Sequence, residues 1–298
     1  MKIGSEAHKE LFCRTFLEGH RRYEPAELPW PVLDGEPLAL LRSLPFWTFA
    51  LQAEEDAGPM ITACAAFERD PLIHEALLLQ AEEETRHARI IRHLIDLYQL
   101  PAGEVHVEVP ADAVGAFIDF GFEECFDSFG AFGLFQLARE HALVPDALFD
   151  IFDRVMEEEA RHIVFFINWF AHRQVNRGPV ERALRHPRAL WHYAKALRKL
   201  VDLVRDDDTP EGEDFLITGA SAVVDELTPT LVLSHCLAEN ERRLASFDRR
   251  LIVPRLGPAF AGVALRVLER LPARRSATPR PVRPGGEPAP DPVDAATV

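Results

Sequence analysis

Four long segments of this 298-residue chain repeat their apolar side chains at the spacing of an α-helix. We predict helices over residues 46–68, 70–98, 113–142 and 146–172, because residues three or four positions apart share one helix face. Between the second and third segments, residues 100–112 carry alternating valines, which predict an extended crossover. The sequence therefore predicts an all-α fold built from two pairs of long helices.

The rest of the chain is predicted to surround these helices. Residues 1–45 form an N-terminal lead-in, a short amphipathic opening and then an extended, proline-bearing stretch that packs on the helices. Residues 46–175 form the helical core, and residues 176–271 form additional helices, the first over 179–205. Residues 272–298 hold seven of the 23 prolines and almost nothing to bury, so we expect them to be disordered.

Composition excludes several classes of function. At 47% hydrophobic the chain can bury a large core, but no apolar run approaches the roughly 20 residues of a membrane span. The N-terminus lacks a secretory layout, so we expect a cytoplasmic protein. The four cysteines include no CxxC pair, which argues against a zinc knuckle.

The formal charge of −15 argues against a nucleic-acid partner, because contacts of Lys and Arg with phosphate supply most of that affinity. One segment is basic although the chain as a whole is acidic: residues 172–199 hold eight Arg or Lys and one acid. We interpret this segment as a solvated face that balances acids elsewhere. The alternative is a surface for an anionic carrier protein, a phosphate or a membrane.

The sequence Glu-x-x-His interrupts two of the apolar stripes. Glu84 and His87 share a face of the second predicted helix, and Glu159 and His162 share a face of the fourth. A buried carboxylate beside an imidazole is costly unless its charge is compensated, and a bound metal ion compensates it. The alternative is that the acidic triplets EEE are solvated and the two histidines are ordinary core residues.

The other two long helices each offer a carboxylate at a matching level. In the first we prefer Glu54 to Glu55, because its face is the more apolar. In the third we prefer Glu124 to Glu123, whose face carries further acids. Both neighbours remain alternatives at this point. The predicted metal ligands are Glu54, Glu84, His87, Glu124, Glu159 and His162.

This set of four carboxylates and two imidazoles from four helices resembles the di-iron carboxylate branch of the ferritin-like superfamily. The resemblance covers about residues 46–172 and implies a ferritin-like four-helix bundle with additional C-terminal helices. It places Glu84 and Glu159 so that they bridge or flank two metals, with one histidine on each metal. The implied cofactor is two Fe ions, with Mn or a mixed Mn/Fe pair as alternatives.

The resemblance also implies an activity. We expect an oxidoreductase that activates dioxygen, an oxygenase or hydroxylase of a small or carrier-bound organic substrate. Electrons would come from an external donor, a reductase or ferredoxin. Ser128 matches the small hydroxyl residue that such hydroxylases place near the oxygen-binding side, although a serine bonded to its own helix backbone is an equal alternative.

Other branches of the superfamily fit less well. More than a hundred residues follow the fourth helix, which disfavours a storage cage, and Ile91 stands where radical-generating subunits have tyrosine. The alternative to an oxygenase is a ferroxidase, an iron-handling protein or a peroxide scavenger that has no organic substrate. A homodimer is a possible oligomeric state.

Overall fold

The computed structural model describes the backbone of residues 1–205 and 228–270, with side chains up to residue 199 and again from 228. Within these ranges the protein contains nine α-helices, one short 3₁₀-helix (Pro25–Glu27) and no strand, which confirms the all-α prediction. The helices are α1 (Glu6–Glu18), α2 (Gly35–Ser43), α3 (Trp47–Ala65), α4 (Pro71–Tyr98), α5 (Ala113–Glu140), α6 (Asp146–Asn176), α7 (Pro179–Arg205), α8 (Pro229–Leu244) and α9 (Leu256–Leu268).

Two of the long helices begin at aspartates that cap them. The Asp70 carboxylate accepts hydrogen bonds from the backbone N–H groups of Leu72 and Ile73 at 3.0 and 3.2 Å, and Pro71 occupies the first turn. Asp112 accepts a bond from Gly115 N at 2.9 Å. These bonds satisfy N–H groups that lack partners within the helix, so the sequence itself fixes where α4 and α5 start.

Helices α3 to α6 pack against one another around a shared core. α3 lies along α4 and α5 lies along α6, while α3 also contacts α5 and α4 also contacts α6. Aromatic rings of α5 and α6 fill the interior. Phe122 meets Phe166 and Phe170 edge to face, at centroid distances of 5.1 and 5.0 Å. Such aromatic pairs stabilise a core beyond their buried area.

A proline inside a helix lacks the N–H of one backbone hydrogen bond and usually kinks or breaks the helix. Helix α3 nevertheless runs without a break through Pro59. The preceding residue, Gly58, lies where α3 and α4 are in close contact. A Cβ on Gly58 would lie 2.3 Å from Thr85 Oγ1 and 3.2 Å from Ala81 O, both on α4. Glycine at this position therefore lets α3 and α4 approach closely.

The N-terminal lead-in packs on the long helices and is more helical than predicted. Leu33 is buried, and the Trp30 ring lies 5.0 Å from the His93 ring. However, α2 occupies part of the stretch that we expected to be extended. Its Leu41 is buried in the same apolar cluster as Leu33, so tertiary packing holds this short helix in place.

Residues 179–199 of the basic segment lie on α7 and face acids of α5. Lys195 and His192 pair with Asp119, and Lys199 Nζ lies 2.6 Å from Glu123 Oε2. These pairs agree with a face that balances acids elsewhere in the fold.

Helices α8 and α9 account for two of the predicted C-terminal helices. The expected charged loop after residue 205 and the expected disordered tail from residue 272 lie outside the described residues. In the two ranges that are described, none of the helices is long and apolar enough to cross a membrane.

Candidate metal centre

The two Glu-x-x-His pairs meet where α4 and α6 face each other. Glu84, His87, Glu159 and His162 are all buried, and each offers a ligand atom within 4.8 Å of the others. The two imidazole rings lie 5.6 Å apart between centroids. Two motifs 75 positions apart in the sequence therefore form one compact cluster of donors.

Each of the two glutamates presents one oxygen toward each imidazole. Glu84 Oε1 lies 3.1 Å from His162 Nδ1, and its Oε2 lies 3.5 Å from His87 Nδ1. Glu159 Oε1 lies 3.0 Å from His87 Nδ1, and its Oε2 lies 3.6 Å from His162 Nδ1. A carboxylate placed in this way can bridge two cations, each of which is also bound by one imidazole.

Glu54 and Glu124 complete the cluster from α3 and α5. Glu54 Oε2 lies 3.6 Å from His87 Nδ1, and the Glu54 side chain is 22% exposed. Glu124 lies close enough to Glu159 and Glu84 for their negative charges to raise its pKa, and its Oε2 atom is buried. The structure therefore brings the six predicted metal ligands together; we refer to them as the cluster.

The neighbouring glutamates that the sequence left as alternatives point elsewhere. Glu55 pairs with Arg92 on the outer side of α4, and Glu123 pairs with Lys199 of α7. Both are therefore engaged by surface cations. The structure favours Glu54 and Glu124 over these neighbours.

Ser128 lies one turn after Glu124 and is buried. Across the two described ranges, no hydrogen bond joins its hydroxyl to the cluster. Its catalytic role therefore remains a prediction.

Four buried atoms of the cluster lack a hydrogen-bond partner: His87 Nδ1, His162 Nδ1, Glu124 Oε2 and Glu159 Oε2. A buried polar group without a partner costs about 1–3 kcal/mol. Such a concentration of unpaired donors and acceptors is expensive unless something else binds them. Cations between the carboxylates would satisfy these atoms together, and mixed oxygen and nitrogen ligands suit Fe or Mn. The residues present therefore fit a two-metal centre.

A carboxylate outside the cluster binds the other ring nitrogen of His87, Nε2. Glu158, on α6, accepts hydrogen bonds from His87 Nε2 at 2.8 Å, from Arg86 Nη2 at 2.7 Å and from the Tyr23 hydroxyl at 2.9 Å. This bond keeps a proton on Nε2, so Nδ1 is the atom that would bind a metal after losing its own proton.

The His162 ring has an equivalent partner on α4. Glu83 Oε2 lies 2.9 Å from His162 Nε2, while its Oε1 lies 2.9 Å from Arg161 Nη2 and 2.7 Å from His20 Nδ1. Each helix thus supplies the carboxylate that supports the imidazole of the other helix. We call the residues that support the imidazoles in this way the outer network: His20, Tyr23, Glu83, Arg86, Glu158 and Arg161.

The sequence carries a signal for this network that the Glu-x-x-His pattern alone misses. The segments EEETRH, starting at Glu82, and EEEARH, starting at Glu157, agree at five of six positions. The repeat marks a second acid and an arginine beside each ligand pair. We interpreted the triplets only as metal ligands or exposed acids, and the structure shows the middle acids, Glu83 and Glu158, to be buried. No local pattern points to His20 or Tyr23.

The electrostatics follow from this arrangement. Burial lowers the pKa of both imidazoles, but the surrounding carboxylates outweigh burial, and the pKa of His87 and of His162 lies well above the ordinary value. Burial raises the pKa of Glu83, but its contacts with His162 and Arg161 reverse this, and the pKa lies far below the ordinary value. The outer carboxylates are therefore ionised and the imidazoles are protonated when no metal is bound.

In two carboxyl groups of the cluster, by contrast, the pKa is raised and not lowered. Burial raises the pKa of Glu124 well above its ordinary value, and the charges of Glu159 and Glu84 raise it further. Burial also raises the pKa of Glu54 to about 7. Protons therefore neutralise the metal-free cluster, and binding of cations would displace them.

The chain matches no protein-family model, and no curated protein or solved structure is detectably similar to it. The donor set, its burial and its unpartnered atoms are the observations that bear on function.

Proposed function

We propose that this protein is a ferritin-like di-iron carboxylate oxidoreductase that activates dioxygen. In this proposal, α3 to α6 form the four-helix bundle, and the reaction is oxygenation or hydroxylation of a small or carrier-bound organic substrate. The observation that supports it most is that one buried cluster contains four atoms without a hydrogen-bond partner, on His87, His162, Glu124 and Glu159. The arrangement matches a Glu from each of two helices and a Glu-x-x-His from each of the others.

The side chains would share the two ions in a simple way. Glu54 and His87 would hold one ion, Glu124 and His162 would hold the other, and Glu84 and Glu159 would serve both. When bound, two iron ions supply the electrons that reduce dioxygen. Glu124 would release its proton as it becomes a ligand, because a bound cation would offset both the burial and the charges of Glu159 and Glu84 that raise its pKa.

The protein would restrict access to one side of the cluster. The imidazole side is closed by Glu83 and Glu158, and the Phe16 ring lies 5.8 Å from the His162 ring. The Glu54 side chain is 22% exposed, against 11% for Glu159 and 2% or less for Glu84, His87 and His162. Dioxygen and substrate would therefore enter past Glu54.

Electrons must come from outside the chain. All four cysteines are buried free thiols, and the sequence has no CxxC pair that would hold an iron–sulfur or rubredoxin-type site. A separate reductase or ferredoxin would supply them. The protein is proposed as an enzyme that works with such a donor.

Metal content is the decisive measurement. The chain would be loaded anaerobically with Fe(II) and Mn(II) together, desalted, and analysed for both elements. We expect about two ions per chain, a loss of these ions in Glu84→Ala and His162→Ala, and full content in the control Glu82→Gln, whose side chain is exposed. Near-zero binding by the unaltered chain would overturn the proposal.

The same preparation separates the enzyme from an iron-handling protein. After loading, excess Fe(II) is added in air and its oxidation is followed by absorbance. Oxidation that stops at about two irons per chain supports the oxygenase. Continued turnover of Fe(II) without an organic substrate identifies a ferroxidase instead.

A further inference from the structure

A cavity of 460 Å³ opens beside the outer network, between α1 with the turn that follows it, α6 and the end of α8. This volume lies in the range of small-molecule sites. Five arginines line it, against two acids, Glu157 and Glu158. The arginines are Arg21, Arg154, Arg161, Arg242 and Arg243.

Arg154 is the least engaged of these cations. Its guanidinium lies 5.7 Å from the centre of the Tyr23 ring. Among the residues that the structure describes, no carboxylate forms an ion pair with it. Arg154 therefore presents its full set of N–H donors at the cavity wall.

Arg243 is unusual because it is buried and only partly satisfied. Its side chain is 3% exposed, its Nη2 donates to Asp153 at 2.6 Å, and its Nε is buried without a hydrogen-bond partner, 3.7 Å from Glu239 Oε2. Arg242 binds Glu239 through Nε and Nη2, which leaves its Nη1 donors unused in that pair. Arg242 thus keeps donors for a further acceptor, and Arg243 adds a buried positive charge to the wall.

The two acids on the lining offer little to a ligand. Glu157 lies 3.2 Å from Arg21, and Glu158 already accepts three hydrogen bonds in the outer network. The wall is therefore rich in donors and poor in free acceptors. A ligand that fits it must bring acceptors of its own, and guanidinium groups match the oxygens of carboxylates and phosphates.

We propose that this arginine cavity binds a small organic molecule through a carboxylate or phosphate group. The volume exceeds that of an inorganic ion, and the rings of Tyr23 and Phe247 give the wall an apolar portion for the rest of the molecule. The cavity lies on the outer side of Glu158 and Arg161, so its ligand contacts the outer network and not the metal ligands. The proposal goes beyond the proposed function and does not depend on a bound metal.

The test is a calorimetric titration of the metal-free, full-length chain with phenyl phosphate, benzoate and inorganic phosphate. We expect saturable binding of about one organic anion per cavity, and an affinity at least about tenfold lower in the double variant Arg154→Gln, Arg242→Gln, since a charge-assisted hydrogen bond contributes about 1.5–3 kcal/mol. Arg69→Gln, an exposed arginine in the loop before α4, is the matched control and should bind as the unaltered chain does.

The outcomes separate the ligand classes. Tighter binding of phenyl phosphate assigns a phosphate ligand, and tighter binding of benzoate assigns a carboxylate ligand. Equal affinity in the double variant, equal binding of the neutral analogue benzyl alcohol, or no saturable binding of any probe would overturn the proposal. Helical content of the double variant, measured by circular dichroism, confirms that lost binding is not unfolding.

Discussion

The Nε2 atom of His162, on α6, lies 2.9 Å from Oε2 of Glu83, on α4, and the reverse relationship joins His87 to Glu158 at 2.8 Å. Each helix thus holds the imidazole of the other. Because both bonds act on Nε2, both Nδ1 atoms face the space between the helices. The orientation of each proposed metal ligand depends on the relative position of α4 and α6.

Glu83→Gln should weaken metal binding without removing a proposed ligand. The amide accepts a weaker hydrogen bond from His162 and removes the nearer of the two carboxylates that pair with Arg161. Loss of such support costs about 10–100-fold in metal affinity. The measurement is a competition titration of Fe(II) or Mn(II) against a chelator. Glu82→Gln is the control in the same triplet, and an equal loss in both variants would contradict a specific role for Glu83.

Tyr23→Phe should have a smaller effect on the same equilibrium. It removes one of the three hydrogen bonds to Glu158, while those from Arg86 and His87 remain. This bond acts on the metal only through the orientation of Glu158, so we expect metal affinity to fall by less than the roughly 10–100-fold that loss of a supporting carboxylate costs. A loss as large as that of Glu158→Gln would mean that Tyr23 does more than orient the carboxylate.

Glu54→Gln should stabilise the metal-free protein, and more so as the pH rises. The folded protein holds the proton of Glu54 up to a pKa of about 7, whereas the unfolded chain releases it near its ordinary value of 4.5. The free energy of unfolding of the unaltered chain therefore falls as pH rises from 4.5 to 7. Glutamine cannot ionise, so its relative advantage should reach on the order of 2 kcal/mol at pH 8.

Denaturation in the presence of a chelator, at pH 5 and pH 8, measures this difference. Glu55→Gln is the control, because Glu55 pairs with Arg92 away from the cluster. Glu54→Gln should also lower metal affinity, and Glu55→Gln should not. A stability difference that is the same at both pH values would show that Glu54 does not titrate in this range.

Gly133→Ala should destabilise the contact between α5 and α8. The added Cβ would lie 2.4 Å from the backbone N of Cys236 and 2.6 Å from its Cα, and backbone cannot move aside as a flexible side chain does. Overpacking of this kind costs about 1–3 kcal/mol. Gly262→Ala, in α9, meets nothing within 4 Å and should stabilise the helix by up to about 1 kcal/mol. Urea denaturation of both variants measures the contrast.

The long helices could be predicted because their apolar spacing and caps are local properties of the sequence. α4 starts at Pro71 behind its Asp70 cap and ends at Tyr98, as the pattern indicates. α2 was missed because only nine residues form it, and its stability depends on burial of Leu41 against distant residues. Short helices are marginal in isolation, so tertiary contacts decide their existence.

The cluster could be predicted for a similar reason, whereas much of its environment could not. Glu-x-x-His on an apolar stripe is unusual enough to indicate buried ligands. Glu83 and Glu158, by contrast, also bond to His20 and Tyr23, which the chain supplies from a segment with no regular pattern. The arginine cavity likewise combines residues of α6 and α8 that no single stretch of sequence brings together.

Each imidazole and the carboxylate that orients it lie far apart in the chain, so they are synthesised at different times. His87 and Glu158 are 71 residues apart in the chain, and His162 and Glu83 are 79 apart. During synthesis the α3–α4 hairpin emerges first and carries Glu84 and His87 without the carboxylate that orients the ring. Neither half of the proposed metal centre would be complete until α6 leaves the ribosome and packs. Metal uptake would therefore follow completion of the four helices, so that a partly made chain does not hold a reactive pair of ions.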